Sequence, residues 1–233
     1  MRAPTRRRIY LMRHGSVDYF RADGSAVTPG TVLLNAAGRA QADAAGGLFA
    51  QSGVRFDRVV TSGLNRTLET ATRVLAAAGQ GLPLELEPAL EEIRGGRLAD
   101  IPPDQVREAF LGAFRGGPGG EDRRFLGGES IAELLDRTLP AFDALLARDD
   151  WQSLLLVLHG GVNRALLSRA LAGERAFFGR IEQLPACINI IDVGADELVV
   201  RAVNLAPTQW LQQHETMTTM EKLLAQYQRL ESL

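Results

Sequence analysis

The stretch Ser153-Leu-Leu-Leu-Val-Leu-His-Gly-Gly-Val162 decides the fold class. Its apolar residues run from Leu154 to Leu158 without alternation and stop at His159-Gly160-Gly161. A strand with one wet face alternates in polarity. A continuous run of this length reads as a strand covered on both faces, as in parallel sheets flanked by helices. A helical pattern, Val162–Ala172, follows the glycine pair at once. The same unit opens the chain, where Arg8-Ile-Tyr-Leu-Met12 ends at Arg13-His14-Gly15.

Outward from these two units, Phe56–Thr61 reads as a further strand. A helix over Leu64–Ala78 follows it and is stopped by Gly79 and Gly81. Leu84–Glu87 is a short strand, and Ile188–Val193 with Leu198–Val203 form a pair across a turn containing Gly194. Asn35 caps a helix with Ala37, Ala40, Ala44, Leu48 and Phe49 on one side. Pro102-Pro103 start a helix over Asp104 to Phe114, and Ser130 with Glu133 forms a capping box for a helix to about Arg148. There are no internal repeats. Strands alternating with helices predict an α/β fold, a three-layer α/β/α sandwich with a mostly parallel central sheet. The 233 residues suit one domain, 1–233, with a loop or lid insertion at about 94–128 and a C-terminal helix at about 216–232.

Composition narrows the partners. Apolar residues are 45%, charged residues 23%, and the formal net charge is −2, so no basic field points to nucleic acid or to an anionic membrane. No apolar run approaches the roughly 20 residues that span a bilayer. Ile9–Met12 is too short for the apolar core of a signal segment. Arg6-Arg7-Arg8 is the one basic cluster, expected as a solvated N-terminal arm. Cys187 is the only cysteine, which excludes an intramolecular disulfide and a Cys-based zinc site and fits a cytoplasmic location.

Ligands of open parallel sheets bind beyond the carboxyl ends of the strands. His14, the segment Ser62 to Arg66, and His159 each follow a strand, so all three belong on one edge. Arg13 offers a planar fork of donors suited to phosphate oxygens. Arg66 begins a helix, and His159-Gly160-Gly161 sets an imidazole beside backbone amides at a helix start, a favourable place for an anion. These groups describe a site for a phosphoryl dianion in which a histidine attacks phosphorus, arginines hold the developing charge and a carboxylate protonates the leaving oxygen. The alternative is a metal site from His14, His159 and His214. It lacks a close histidine pair at ligand spacing and is rich in arginine.

The three blocks together resemble a known family. Leu11-Met-Arg-His-Gly15, Val60-Thr-Ser-Gly-Leu-Asn-Arg-Thr67 with Glu69-Thr70-Ala71, and Leu156-Val-Leu-His-Gly-Gly-Val162 with Arg164-Ala165-Leu166 are similar to motifs of the histidine phosphatase superfamily, which includes the cofactor-dependent phosphoglycerate mutases. Leu33–Ala42 and Gly127-Gly-Glu-Ser130 are similar to it as well, and the resemblance spans roughly residues 8 to 205. It implies a phosphoglycerate mutase-like fold and a metal-independent phosphomonoester hydrolase with no cofactor. His14 would become a phosphohistidine, and Arg13, Arg66 and His159 would bind phosphoryl oxygens. Gly160 would add a backbone amide, and Ser16 the hydroxyl that the family often carries where this chain has Val17. The acid would be Glu92 by the family's Leu-x-Glu pattern, with Glu91 as the adjacent competitor. Gly63 stands where proline is common, and Arg94-Gly95-Gly96 replaces a more usual acidic or aromatic stretch beside the leaving group. Two alternatives stay open: a mutase that passes the phosphoryl group back to a bound intermediate, and a non-catalytic phosphate-binding member.

The expected substrate is a phosphorylated small molecule of unidentified structure. Tyr19, Phe20 and Arg21 are candidates to line its pocket. Arg115, Arg123 and Arg124, in or beside the glycine-rich loop Arg115–Gly128, are candidates for a mobile lid reading a second acidic group. Met217, Met220, Leu223, Leu224, Tyr227 and Leu230 recur at helical spacing, so the C-terminal helix is amphipathic. It is expected to pack on its own domain, with a homodimer contact as the alternative.

Overall fold

A computed structural model describes residues 6–21, 25, 27–115 and 120–231. Its centre is a six-stranded sheet in the order β3-β2-β4-β1-β5-β6. The strands are β1 (Arg7–Arg13), β2 (Arg58–Thr61), β3 (Leu84–Leu86), β4 (Ser153–Leu158), β5 (Ile188–Val193) and β6 (Leu198–Leu205). β3, β2, β4 and β1 are parallel, while β5 runs antiparallel to β1 and β6 antiparallel to β5. β4 sits between β1 and β2, and Leu154 through Leu158 are all fully buried. That position explains the unbroken apolar run.

Because side chains alternate across a strand, β4 feeds two cores. Leu154, Leu156 and Leu158 join Ile9, Leu11, Leu134, Leu135, Phe142, Val162 and Leu166. Leu155 and Val157 join Tyr10, Met12, Ala42, Ala45, Phe49, Ala71 and Val74. The first core lies under α4 (Ile131–Leu146) and α5 (Gly160–Ala172), and the second under α1 (Ala36–Gln51) and α2 (Asn65–Ala77). This is the expected α/β/α sandwich. Each leucine withdrawn from water contributes about 1.5–3 kcal/mol.

The capping box is formed: the Glu133 amide donates to Ser130 Oγ at 3.1 Å and the Ser130 amide to Glu133 Oε2 at 2.8 Å. Asn35 caps α1 by accepting from the Gly38 amide at 2.9 Å. The face that α1 buries is only partly the expected one: Phe49 is buried and Leu48 packs against the core. Gly38, Ala42, Ala45, Gly46 and Phe49 point inward, while Ala37 and Ala40 are exposed. The reason is backbone proximity: a Cβ on Gly46 would lie 2.4 Å from the Val74 carbonyl oxygen. Small residues, not the apolar stripe, set the α1–α2 contact.

Other expectations are corrected. Arg6-Arg7-Arg8 is no solvated arm. Arg7 and Arg8 open β1, the Arg7 guanidinium lies over the Trp151 ring at 4.2 Å, and Arg8 forks onto Asp192 at 2.7 and 3.2 Å. The helix expected over Asp104 to Phe114 is divided. Only α3 (Val106–Leu111) is α-helical, between 3-10 turns at Pro103–Gln105 and Gly112–Phe114. Of the glycine-rich loop, residues 116–119 lie outside the described residues, and Gly120–Asp122 forms a further 3-10 turn. The C-terminal helix, α6 (Thr219–Glu231), packs on its own chain through Met220, Leu223, Leu224 and Tyr227 against Val106 and Phe110. Met217 precedes α6 and is exposed, and the Leu230 side chain lies outside the described ones. No helix of the described residues is long and apolar enough to cross a membrane.

Candidate active site

The parallel strands place the expected residues together. His14 follows β1, Ser62 follows β2 and His159 follows β4, and the His14 amide donates to the Leu158 carbonyl at 3.0 Å. The two imidazole rings meet edge to face with centroids 5.3 Å apart. Both are buried, His14 at 1% exposure and His159 at 0%, beside Arg66 at 3% in the first turn of α2.

Tautomers follow from the partners. His14 Nδ1 lies 2.7 Å from the Gly15 carbonyl oxygen, which only accepts. Nδ1 therefore carries the proton, and Nε2 keeps its lone pair. His159 Nε2 lies 2.8 Å from Ser62 Oγ, which lies 3.1 Å from Thr67 Oγ1, whose hydroxyl donates to the Leu64 carbonyl at 2.7 Å. With the Thr67 proton committed, Ser62 donates to Thr67 and accepts from His159, so Nδ1 of His159 is the unprotonated nitrogen. Burial pushes both imidazoles well below the ordinary value of 6.5, and the charges of Arg66 and Arg13 push the same way, so both are neutral.

Arg13 is anchored by one end. Its Nη1 donates to the Gln183 carbonyl at 2.6 Å. Arg13 Nε, His14 Nε2 and His159 Nδ1 are buried with no hydrogen-bond partner among the described residues. Leaving such a group unmatched costs about 1–3 kcal/mol. Three in one place, beside Arg66, mark a site for a polar group: Arg13 Nε can donate to an anion's oxygen, His14 Nε2 offers a lone pair, and His159 Nδ1 can donate only once protonated. Gly160 opens α5 against Arg13, where a Cβ would lie 3.5 Å from Arg13 Nε. Ser16 Oγ accepts from Asn35 Nδ2 at 3.3 Å.

The two adjacent glutamates separate. Glu92 accepts the Gly161 amide on both carboxylate oxygens, at 3.0 and 3.2 Å, at the start of α5. A Cβ on Gly161 would lie 2.6 Å from Glu92 Oε1, so a larger residue there has to move the carboxylate. Glu91 instead faces Arg94 at 3.6 Å. Gly63 has a φ of +90°, which proline cannot adopt, so the turn after β2 differs in backbone from one built on proline. Arg94-Gly95-Gly96 packs against the turn at Leu126–Gly128, with the Gly96 amide on the Leu126 carbonyl at 3.1 Å.

A cavity of about 240 Å³ opens in front of His14. Its floor is Arg13, His14, Gly15 and Ser16, and its walls include Tyr19, Gln41, Leu184, Pro185 and Gln209. Glu215, Thr219, Lys222, Leu223 and Gln226 close it from the C-terminal segment. Tyr19 was among the expected pocket residues; Phe20 packs on Tyr227 instead, with centroids 6.1 Å apart. The C-terminal wall was not foreseen, although Lys222 is the only lysine in the chain. The three expected lid arginines do not line this cavity. Arg115 pairs with Glu108 at 2.7 Å, Arg124 with Glu133 at 3.1 Å, and Arg123 donates to the Gly112 carbonyl at 3.4 Å. Arg123 and Arg124 border a separate cavity beside α3. His214 is exposed and bonds Gln213, away from the other two histidines.

The strand ends of the α/β sandwich thus gather two buried imidazoles with Arg13 and the buried Arg66. Residues 9–206 match the histidine phosphatase superfamily, branch 1, and the chain belongs to that family. It is 32% identical over 167 residues, 70% of this chain and 74% of the other, to the probable phosphoglycerate mutase GpmB of Salmonella paratyphi A. The crystal structure of the alpha-ribazole phosphatase from Shigella flexneri matches with a TM-score of 0.67 at 25% identity, over 84% of this chain and 96% of that one. The phosphoglycerate mutase from Bacillus anthracis shares the fold, with a TM-score of 0.68 at 18% identity over 91% and 98% of the two chains.

Proposed function

We propose that this protein is a phosphomonoester hydrolase acting through a phosphohistidine on His14, with a small phosphorylated molecule as substrate. The observation that carries this is the His14 geometry. A neutral ring with its Nδ1 proton given to Gly15 presents an unprotonated Nε2 beside the Arg66 and Arg13 cations. In the proposed cycle Nε2 attacks phosphorus, while Arg13, Arg66, His159, the Gly160 amide and Ser16 take the phosphoryl oxygens. Glu92 gives a proton to the departing oxygen and then withdraws one from the water that cleaves the phosphohistidine. A neutral His159 can donate through Nδ1 only after taking up a proton, so anion binding makes it an imidazolium. Positive charge for the transition state comes from guanidinium groups.

The wall formed by Lys222, Leu223 and Gln226 beside a cavity of about 240 Å³ supports a small substrate over a phosphoprotein. The relative named as a phosphoglycerate mutase keeps phosphoryl return to a bound intermediate as the second reading. The test is a panel of phosphate esters with the wild type and His14→Ala, together with trapping of labelled phosphate on the protein. Release of inorganic phosphate and a label lost with His14 are expected. Transfer of label to a second ester favours the mutase, and neither turnover nor label on any ester sinks the enzyme.

A further inference from the structure

Gly127-Gly-Glu-Ser130 has no part in the cycle above, although Ser130 caps α4. Glu92 presents a related problem, because residues 91–97 carry no regular secondary structure. A carboxyl group that must meet a leaving oxygen within hydrogen-bond reach needs a fixed backbone.

One ion pair supplies it. Arg137, on α4, donates from Nη1 to the carbonyls of Ala89 at 2.8 Å and Glu91 at 2.7 Å, and from Nη2 to the Glu92 carbonyl at 3.1 Å. Its Nε and Nη2 also grip Glu129 at 2.6 and 2.8 Å. Glu129 completes the clamp from the far side. Its Oε2 accepts the Arg94 amide at 2.9 Å, and its own amide donates to the Arg94 carbonyl at 2.8 Å. The two side chains are 16% and 8% exposed. Burial alone would raise the Glu129 carboxyl, but the bonds from Arg137 and the Arg94 amide outweigh it and hold it lowered, so the pair stays ionised.

We infer that the Arg137–Glu129 pair is a positioning device for the Glu92 carboxyl, gripping the chain on both sides of it. The inference rests on the assignment of Glu92 as the acid. Arg137 acts through the backbone and needs its planar fork, which lysine lacks.

The test reads leaving-group dependence, because a lost acid hurts strongly basic leaving groups most. Values of kcat/KM, which report the first transfer step, are measured for aryl phosphates from p-nitrophenyl to phenyl. The variants are Glu92→Gln, Arg137→Lys, Arg137→Met and Glu129→Gln, each with its unfolding midpoint. Glu92→Gln is expected to lower phenyl phosphate about 100-fold and p-nitrophenyl phosphate only slightly. Arg137→Lys and Arg137→Met should show the same selective loss, about tenfold on phenyl phosphate, well below their unfolding temperatures. If Arg137→Met does not fold, Arg137→Lys and Glu129→Gln carry the comparison. Equal losses on all esters, or none, in the Arg137 variants beside a selective Glu92→Gln overturn the positioning role alone. A non-selective Glu92→Gln, or a wild type inactive on every ester, removes the acid assignment and this inference with it.

Discussion

The floor of the cavity and its C-terminal wall hold their side chains by different means. His14 in the floor, and Arg66 and His159 packed behind it, are at most 3% exposed, and the backbone around them is tied into the sheet through the His14 amide on Leu158 and the Arg13 amide on Cys187. Across the cavity, the Lys222 side chain is 47% exposed and its main partner is Glu215, on the chain just before α6. The contrast separates two tasks. Groups that handle a phosphoryl group gain from a dry, preorganised setting. Groups that read the rest of a substrate need only reach it, and they sit on segments that vary most easily.

The largest expected effect tests the floor directly. His14→Asn should lower kcat/KM by at least about 10⁴-fold while leaving the fold intact, read by phosphate release and circular dichroism. A variant within tenfold of wild type would remove His14 from the chemistry.

A milder break, in the cluster behind the floor, is Gly161→Ala. The new Cβ has to displace the Glu92 carboxylate, which lies 2.6 Å from its place. An expected drop in kcat of about 10–100-fold, with KM little changed, checks the link between the α5 start and the acid. Lys222→Gln then probes the wall. It should raise KM about twofold to fivefold and leave kcat nearly unchanged. A kcat effect as large as that of Gly161→Ala would show that wall and floor are not separate.

The smallest effects are on stability. Both imidazoles are held below 6.5 by burial and by neighbouring arginines. Below 6.5 the unfolded chain therefore binds protons that the native one refuses. Stability from this source is full above 6.5 and falls as pH drops, by up to about 1.4 kcal/mol per pH unit for each imidazole. Denaturant midpoints between pH 7.5 and 5 should flatten in His14→Asn/His159→Asn. An equally steep variant would place the dependence elsewhere.

Much of the floor is legible in the sequence because strand ends and helix starts are local features. The apolar run Leu154–Leu158 identifies a strand buried on both faces, and the residue after such a strand belongs on the ligand edge. His14, Arg66 and His159 follow from that rule alone. The wall is not legible, because Lys222 comes to line the same cavity as His14 only after α6 folds back onto α3. The fate of Arg6-Arg7-Arg8 is hidden for the same reason: Trp151 and Asp192, which hold Arg7 and Arg8, are far away in sequence. The buried face of α1 escapes a search for apolar stripes because Gly38 and Gly46 are selected for absent volume.

The sequence by itself determined the sandwich, its carboxyl edge and the residue types that gather there, since strand patterning, helix caps and glycine turns act over a few neighbouring residues. Only the tertiary structure decided between Glu91 and Glu92 as the carboxylate that rests on the α5 amide, gave Arg137 and Glu129 their hold on that segment, and set Lys222 over the cavity. Those choices depend on which distant backbone a side chain meets, and that is fixed by packing rather than by local pattern.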